Sequence, residues 1–226
     1  MTQTILIVAA HPDDEVLGCG GTMARHAAAG DKVHVLFLAD GVGARGSTID
    51  HSAALDARRA AAERAIAILG AKQPTFLDFP DNQLDTVPLI EIIQAIEATA
   101  TDLLPQVVYT HHPADLNIDH RICQQAVVTA FRPFPGQSVR AIHGFEVCSS
   151  TEWAFPTTGA AFVPTRYVDI SAFLETKLAA LDAYAAEMRE FPHIRSIKAV
   201  RALATWRGAC VGCEAAEAFA TVREII

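Results

Sequence analysis

Apolar, β-rich runs alternate along this chain with Ala-rich stretches of helical pattern. The runs at 4–10, 32–39, 75–79, 106–110 and 139–147 predict core strands, and the stretches at 16–29, 52–69, 87–100 and 119–131 predict the helices between them. Gly30 and Gly70 stand where helix C-caps are expected. Strand and helix in regular alternation imply a Rossmann-like, doubly wound α/β fold with a mostly parallel sheet. The pattern changes after residue 147. A loop rich in Ser, Thr, Phe and Pro at 148–164 leads to a short strand near 166–170, then to helices at about 171–189 and 197–206. These predict an appended C-terminal helical subdomain, about 148–226, on a core of about 1–147, the whole being a single domain of 1–226. In open parallel sheets ligands bind beyond the carboxyl ends of the strands, so the segments after each strand are where chemistry is expected.

Composition supports one soluble, globular unit: 226 residues with 51% hydrophobic and 19% charged side chains suffice for a sizeable core. A formal net charge of -8 and a pI near 5.5 supply no basic field for nucleic acid or an anionic membrane. The first apolar run is too short for a signal segment or a membrane span, so cytoplasmic residence is expected. The five cysteines are odd in number and widely spread, which argues against a disulfide framework. Cys210 and Cys213 have the spacing of a redox or half-zinc pair but no supporting context, and read as small packing residues.

Two polar clusters follow strands. Ala10-His11-Pro12-Asp13-Asp14-Glu15 places one imidazole and three carboxylates within five positions of an apolar strand end. Thr110-His111-His112-Pro113-Ala114-Asp115-Leu116-Asn117-Ile118-Asp119-His120-Arg121 is a second polar cluster, at the end of the fourth strand. Two such loops leaving strands of a sheet can meet above it. His11, one of Asp13 or Asp14, and one later His would give the three mixed ligands of a catalytic zinc, with the remaining carboxylate available as general base. Gly18, Gly20 and Gly21 lack the spacing of a phosphate-binding loop and read as close packing of the first helix on the sheet.

The motif A-H-P-D-D-E at the first strand end, followed by D-H at the head of a later helix, resembles the PIG-L/LmbE-like N-deacetylases. Further likeness runs through residues 76–82, 111–121, 149–153 and 191–196, and so over nearly the full chain. That resemblance implies a zinc-dependent hydrolase, with one Zn2+ per chain held by His11, Asp14 and His120 and with Asp13 activating water. Other divalent metals are compatible with such a site. The expected substrate is a small N-acetylated amino sugar or sugar conjugate. Several relatives carry a His three positions before the ligand His, where this chain has Asn117, a hydrogen-bond donor that supplies no proton. Asp13, with His193 as helper, is then expected to protonate the departing amine. Arg58 or Arg59, with helical phase favouring Arg58, and Asp81 are the expected sugar contacts, and Asp115, Glu152 and Arg195 are further candidates.

Plainer readings exist for each. Asp13 and Asp14 suit a helix N-terminus as caps, Asp81 sits in good turn chemistry, and His193 follows Pro192 in a loop. Structural roles suit His111 and His112, and His26, His34, His51 and His143 read as surface or packing residues. The competing functions are an amidase that cleaves a larger acyl group from a pseudo-glycoside, and a non-catalytic module that binds a nucleotide or metal. The sequence is compatible with a monomer or a homo-oligomer.

Overall fold

The first strand, β1 (Thr4–Ala9), is fully apolar after its first residue and lies at the centre of the sheet. A computed structural model describes residues 2–43, 51–154 and 161–226. After β1 come α1 (Asp14–Ala28), β2 (Lys32–Ala39), α2 (His51–Ile68), β3 (Thr75–Phe79), a 3-10 turn (Leu84–Thr86), α3 (Leu89–Leu103), β4 (Val107–His111), α4 (Ile118–Ala130) and β5 (Ala141–Phe145). The chain closes with β6 (Arg166–Asp169), α5 (Leu174–Asp182), α6 (Ile197–Ala209) and β7 (Ala216–Glu224).

The seven strands run in the order β3-β2-β1-β4-β5-β7-β6; β1 to β5 are parallel, and β7 is antiparallel to both neighbours. Alternate side chains of one strand serve opposite cores. Ile5, Ile7 and Ala9 face α1, α2 and α5 with Val16, Met23, Ala62, Ile66 and Leu181, whereas Leu6 and Val8 face α3 and α4 with Ile92, Ile96, Cys123 and Val127. Helices therefore cover both faces, as expected for a doubly wound sheet.

α1 packs unusually close. A Cβ on Gly18 would lie 2.4 Å from the Phe145 ring and one on Gly21 2.7 Å from Ile170, so the glycines are there for contact with the sheet. Gly30 and Gly70 end their helices at φ 87 and 74, the left-handed conformation a C-cap glycine supplies.

After residue 147 the short strand expected near 166–170 is β6 and the two expected helices are α5 and α6; the difference is a further strand, β7, through which the segment joins the core sheet. β7, rich in Ala and Glu, has weak strand propensity that pairing on both sides overrides. Its Glu217 is buried, accepts the N–H groups of Gly21 and Thr22, and pairs with buried Lys177 at 2.6 Å. The helix expected at 171–189 stops at Asp182 and continues as i→i+3 turns, Tyr184 N to Leu181 O and Glu187 N to Tyr184 O. Among the described residues no helix is long and apolar enough to cross a membrane.

Candidate active site

The strand order reverses between β1 and β4, and their carboxyl ends open a crevice at that point. The Ala10 N–H donates to His111 Nε2 at 2.8 Å and ties the two strand ends together. From them emerge the two polar clusters, and His11, Asp14 and His120 converge. Asp14 Oδ2 lies 3.3 Å from His11 Nδ1 and 3.3 Å from His120 Nε2. Tetrahedral ligands bound at about 2.0–2.1 Å stand roughly 3.3 Å apart, so the spacing suits a divalent cation.

The outer ring nitrogens support this. His11 Nε2 meets Asp119 Oδ2 at 2.9 Å and Asp81 Oδ1 at 3.1 Å, and His120 Nδ1 meets Asp115 Oδ1 at 3.1 Å. Each imidazole donates outward to a carboxylate, which leaves its other nitrogen's lone pair directed at Asp14. Two lone pairs and a carboxylate oxygen at that distance repel one another unless a proton or a cation lies between them. Burial opposes the His120 imidazolium, but Asp14 and Asp115 outweigh it and push its pKa up to about 9. Burial alone would raise the Asp14 carboxyl; the same imidazoles hold it well below the carboxylate range. Among the described residues a second group, His11 with Asp81 and Asp119, also converges. There Asp119 already accepts the N–H groups of Asn82 and Leu84, so its oxygens are engaged in holding His11 and the loop after β3.

Asp13 is the N-cap of α1 by position but makes no side-chain cap bond. Its backbone sits at φ 112, ψ -27, outside the ordinary wells of a non-glycine residue and costing on the order of 1–3 kcal/mol. That turn sends the carboxylate into the cavity, where Oδ2 meets Arg195 Nη1 at 2.9 Å and Arg58 Nη2 at 3.3 Å. Burial pushes the Asp13 carboxyl above its usual range while Arg195 and Arg58 pull it back. Arg58 is buried and braced by Glu187. The cavity, about 240 Å³, is lined by His11, Asp13, Asp14, Arg58, Asn82 and Ser149 among others. Among the described residues, three of the five non-glycine residues with positive φ, namely Asp13, Asn82 and Ser149, lie in this lining, a concentration of unusual backbone expected of a functional site.

The other expected site residues fall into place unevenly. Arg58 faces the cavity, while Arg59 pairs with Asp78 on the outside. Asp81 lines the cavity but also holds His11. Asp115, expected at the substrate, is buried behind His120 and accepts from the hydroxyls of Ser150 and Thr151. Asn117 caps α4, its Oδ1 accepting from Asp119 N at 2.8 Å, and its Nδ2 donates to Asn82. Arg195 lines the cavity at Asp13, whereas His193 is exposed, its ring edge-on to Trp153 and its Nδ1 accepting the Arg195 N–H. The structure thus places His193, expected as a helper in proton transfer, outside the cavity lining and against the Arg195 backbone. Glu152 accepts from the N–H groups of Ser149 and Ser150. His111 stacks on His120 at 4.0 Å with its Nε2 committed to Ala10, so it supports a ligand from behind. Sequence reasoning assigned no role to Asp119 as the holder of His11, though the D-H pair signals it, or to Glu15, though it closes the A-H-P-D-D-E motif, and missed Glu187, for which no local signal exists.

Residues 6–131 match the family model described as PIG-L: GlcNAc-PI de-N-acetylase. The chain is similar to "Uncharacterized deacetylase YaiS" of Escherichia coli K12, at 31% identity over 183 residues covering 78% of this chain and 88% of that protein. It is also similar to diacetylchitobiose deacetylase of Thermococcus kodakarensis, at 31% over 212 residues covering 85% and 75%. Among solved structures, N,N'-diacetylchitobiose deacetylase from Pyrococcus horikoshii superposes with a TM-score of 0.79 at 20% identity, covering 98% of this chain and 84% of that one. The 4-carboxy-2-hydroxymuconate hydratase GalB from Pseudomonas putida superposes at 0.78 with 23% identity, covering 100% and 98%. At these identities the superpositions establish the fold, and proteins of that fold include one named for another reaction, so the chemistry must be argued from the site.

Proposed function

This chain belongs to the PIG-L family, and from that premise we propose that it is a metal-dependent hydrolase that removes the N-acetyl group of an amino sugar or sugar conjugate, with zinc as the native metal. The observation that carries the proposal is a ligand triad with a further carboxylate beside it, in the same cavity, that is not one of the three. Asp14 Oδ2 stands 3.3 Å from each of two imidazole nitrogens, while the neighbouring Asp13 carboxylate is turned away from the triad onto two arginines in the same cavity.

His11 Nδ1, Asp14 Oδ2 and His120 Nε2 would hold a divalent cation, which when bound would supply Lewis acidity toward the amide carbonyl and toward water. Asp13 accepts the proton of the attacking water and returns it to the departing amine, so one carboxylate serves both halves of the hydrolysis. Arg58 and Arg195 oppose the effect of burial on that carboxylate and fix its direction. Asp119 and Asp115 hold the two imidazoles in the tautomers whose lone pairs face inward. Asp81, Asn82, Ser149 and Arg195 offer hydrogen-bonding groups for sugar hydroxyls at the rim.

The test is acetate release from N,N'-diacetylchitobiose and related N-acetylated sugars by chelator-treated protein, with and without added Zn2+. Activity that appears only on reloading, and that Asp13→Asn abolishes without lowering the metal content, supports the proposal. Activity indifferent to chelation, or an Asp13→Asn protein with parental turnover, overturns it.

A further inference from the structure

We infer that Glu15 and Tyr184 are positioning residues for Asp13: the Tyr184 hydroxyl holds the Glu15 carboxylate, which holds the Asp13 backbone N–H and thereby sets the direction of its side chain. The inference rests on the reading of Asp13 as the proton-accepting group.

Glu15 follows the ligand Asp14 in the first turn of α1 and is fully buried. Its side chain folds back so that Oε2 accepts the Asp13 N–H at 2.9 Å, and Oε1 accepts the Tyr184 hydroxyl at 2.7 Å. A buried carboxylate is costly, and stability alone would favour an apolar side chain here. What it provides is an acceptor for an N–H that the φ of 112 turns inward, the same φ that spares the Asp13 carboxylate from capping α1.

Tyr184 is 1% exposed and sits just beyond α5, where the helix loosens into successive turns. Two turns meet Asp13 from this one segment. Tyr184 reaches its backbone through Glu15, and Glu187 reaches its carboxylate through Arg58, whose guanidinium also lies over the Tyr184 ring at 5.9 Å. Were Tyr184 only a core side chain, its hydroxyl would affect stability and leave turnover alone.

The experiment uses the zinc-loaded full chain with Tyr184→Phe, Glu15→Leu and Glu15→Gln. It reads kcat and KM on N,N'-diacetylchitobiose, metal per chain, and the crystal structure of each variant. Displacement of a reacting group by about an ångström costs on the order of a hundredfold. Tyr184→Phe and Glu15→Leu should therefore lower kcat about ten- to a hundredfold with KM and metal content unchanged, and the Asp13 carboxylate should leave Arg195. Glu15→Gln, whose amide oxygen still accepts the Asp13 N–H and whose amide N–H can donate to the Tyr184 oxygen, should stay within about threefold. Parental kcat in Tyr184→Phe, equal losses in the Gln and Leu variants, or losses that track metal depletion overturn the inference. Tyr184→Phe keeps the ring and decides the matter if Glu15→Leu does not fold. If the chain turns over no tested sugar, the variant crystal structures decide, and an Asp13 conformation unchanged in Tyr184→Phe overturns the inference. Asp13→Asn separates the two levels: parental turnover there refutes the base assignment, whereas an inactive Asp13→Asn beside fully active Glu15 and Tyr184 variants refutes only the positioning.

Discussion

Replacing Asp115 with Ala separates a substrate contact from a metal-holding role. Its Oδ1 stands 3.1 Å from His120 Nδ1, it accepts the hydroxyls of Ser150 and Thr151 and the N–H of Asn117, and it is 2% exposed. Burial opposes its charge, but these donors hold the carboxyl far below the ordinary carboxylate range. The alanine variant frees the His120 ring to rotate or change tautomer. Loss of an outer-shell carboxylate from a ligating His costs about 10–100-fold in metal affinity, equivalent to about 1.4–2.7 kcal/mol. At least one donor left buried and unsatisfied adds about 1–3 kcal/mol to the folding cost. Competition titration of zinc against a chromogenic chelator measures the first quantity and urea denaturation of the metal-free chain the second. Asp115→Asn retains an oxygen for His120 and should recover most of the affinity. Unchanged zinc affinity in Asp115→Ala, with a raised KM instead, would refute the reasoning and restore Asp115 to the substrate.

His193→Ala should leave kcat within about threefold, because the ring is exposed and only supports the Arg195 backbone; a fall of 10²-fold or more in steady-state assays would make it a proton-transfer group. Lys177→Met should lower stability by about 3 kcal/mol in urea denaturation with kcat unchanged, since it leaves buried Glu217 without its counter-charge. His143 is fully buried on β5 with both ring nitrogens unpartnered, and burial, with Arg166 and His26 adding to it, pushes its pKa down to about 4. The unfolded chain takes up this proton near pH 6.5 and the native chain refuses it, so the neutral-His143 contribution is complete above about pH 6.5 and is lost as pH falls toward 4. The loss approaches about 3 kcal/mol. His143→Phe should flatten stability over that window, and an unaltered slope between pH 6.5 and 4 would contradict the assignment.

The parallel core and the first polar cluster were legible because both are local in sequence, whereas the choice of Asp14 and the distant His120 as partners of His11 came from the family resemblance. Continuous apolar runs mark β1, β2 and β4, and A-H-P-D-D-E lies in one turn after β1. What escaped was nonlocal. Nothing in residues 216–224 announces a strand, since its identity is fixed by pairing with β5 and β6. The roles of Glu15, Arg195 and Glu187 depend on the last third of the chain folding back over α1 and α2, a contact that no spacing rule encodes. Asp115 and Asn117 were expected at the substrate and the intermediate; the structure sets Asp115 against His120 and uses the Asn117 side chain to cap α4 at the cavity wall, placements that rest on side-chain direction.

The central claim is tested most directly by an anomalous difference map at the zinc edge from crystals of the zinc-loaded protein. One peak within about 2.0–2.2 Å of His11 Nδ1, Asp14 Oδ2 and His120 Nε2, with the Asp13 carboxylate outside the coordination shell, is the predicted result. A peak between His11, Asp81 and Asp119, or one that takes Asp13 as a ligand, would contradict the account.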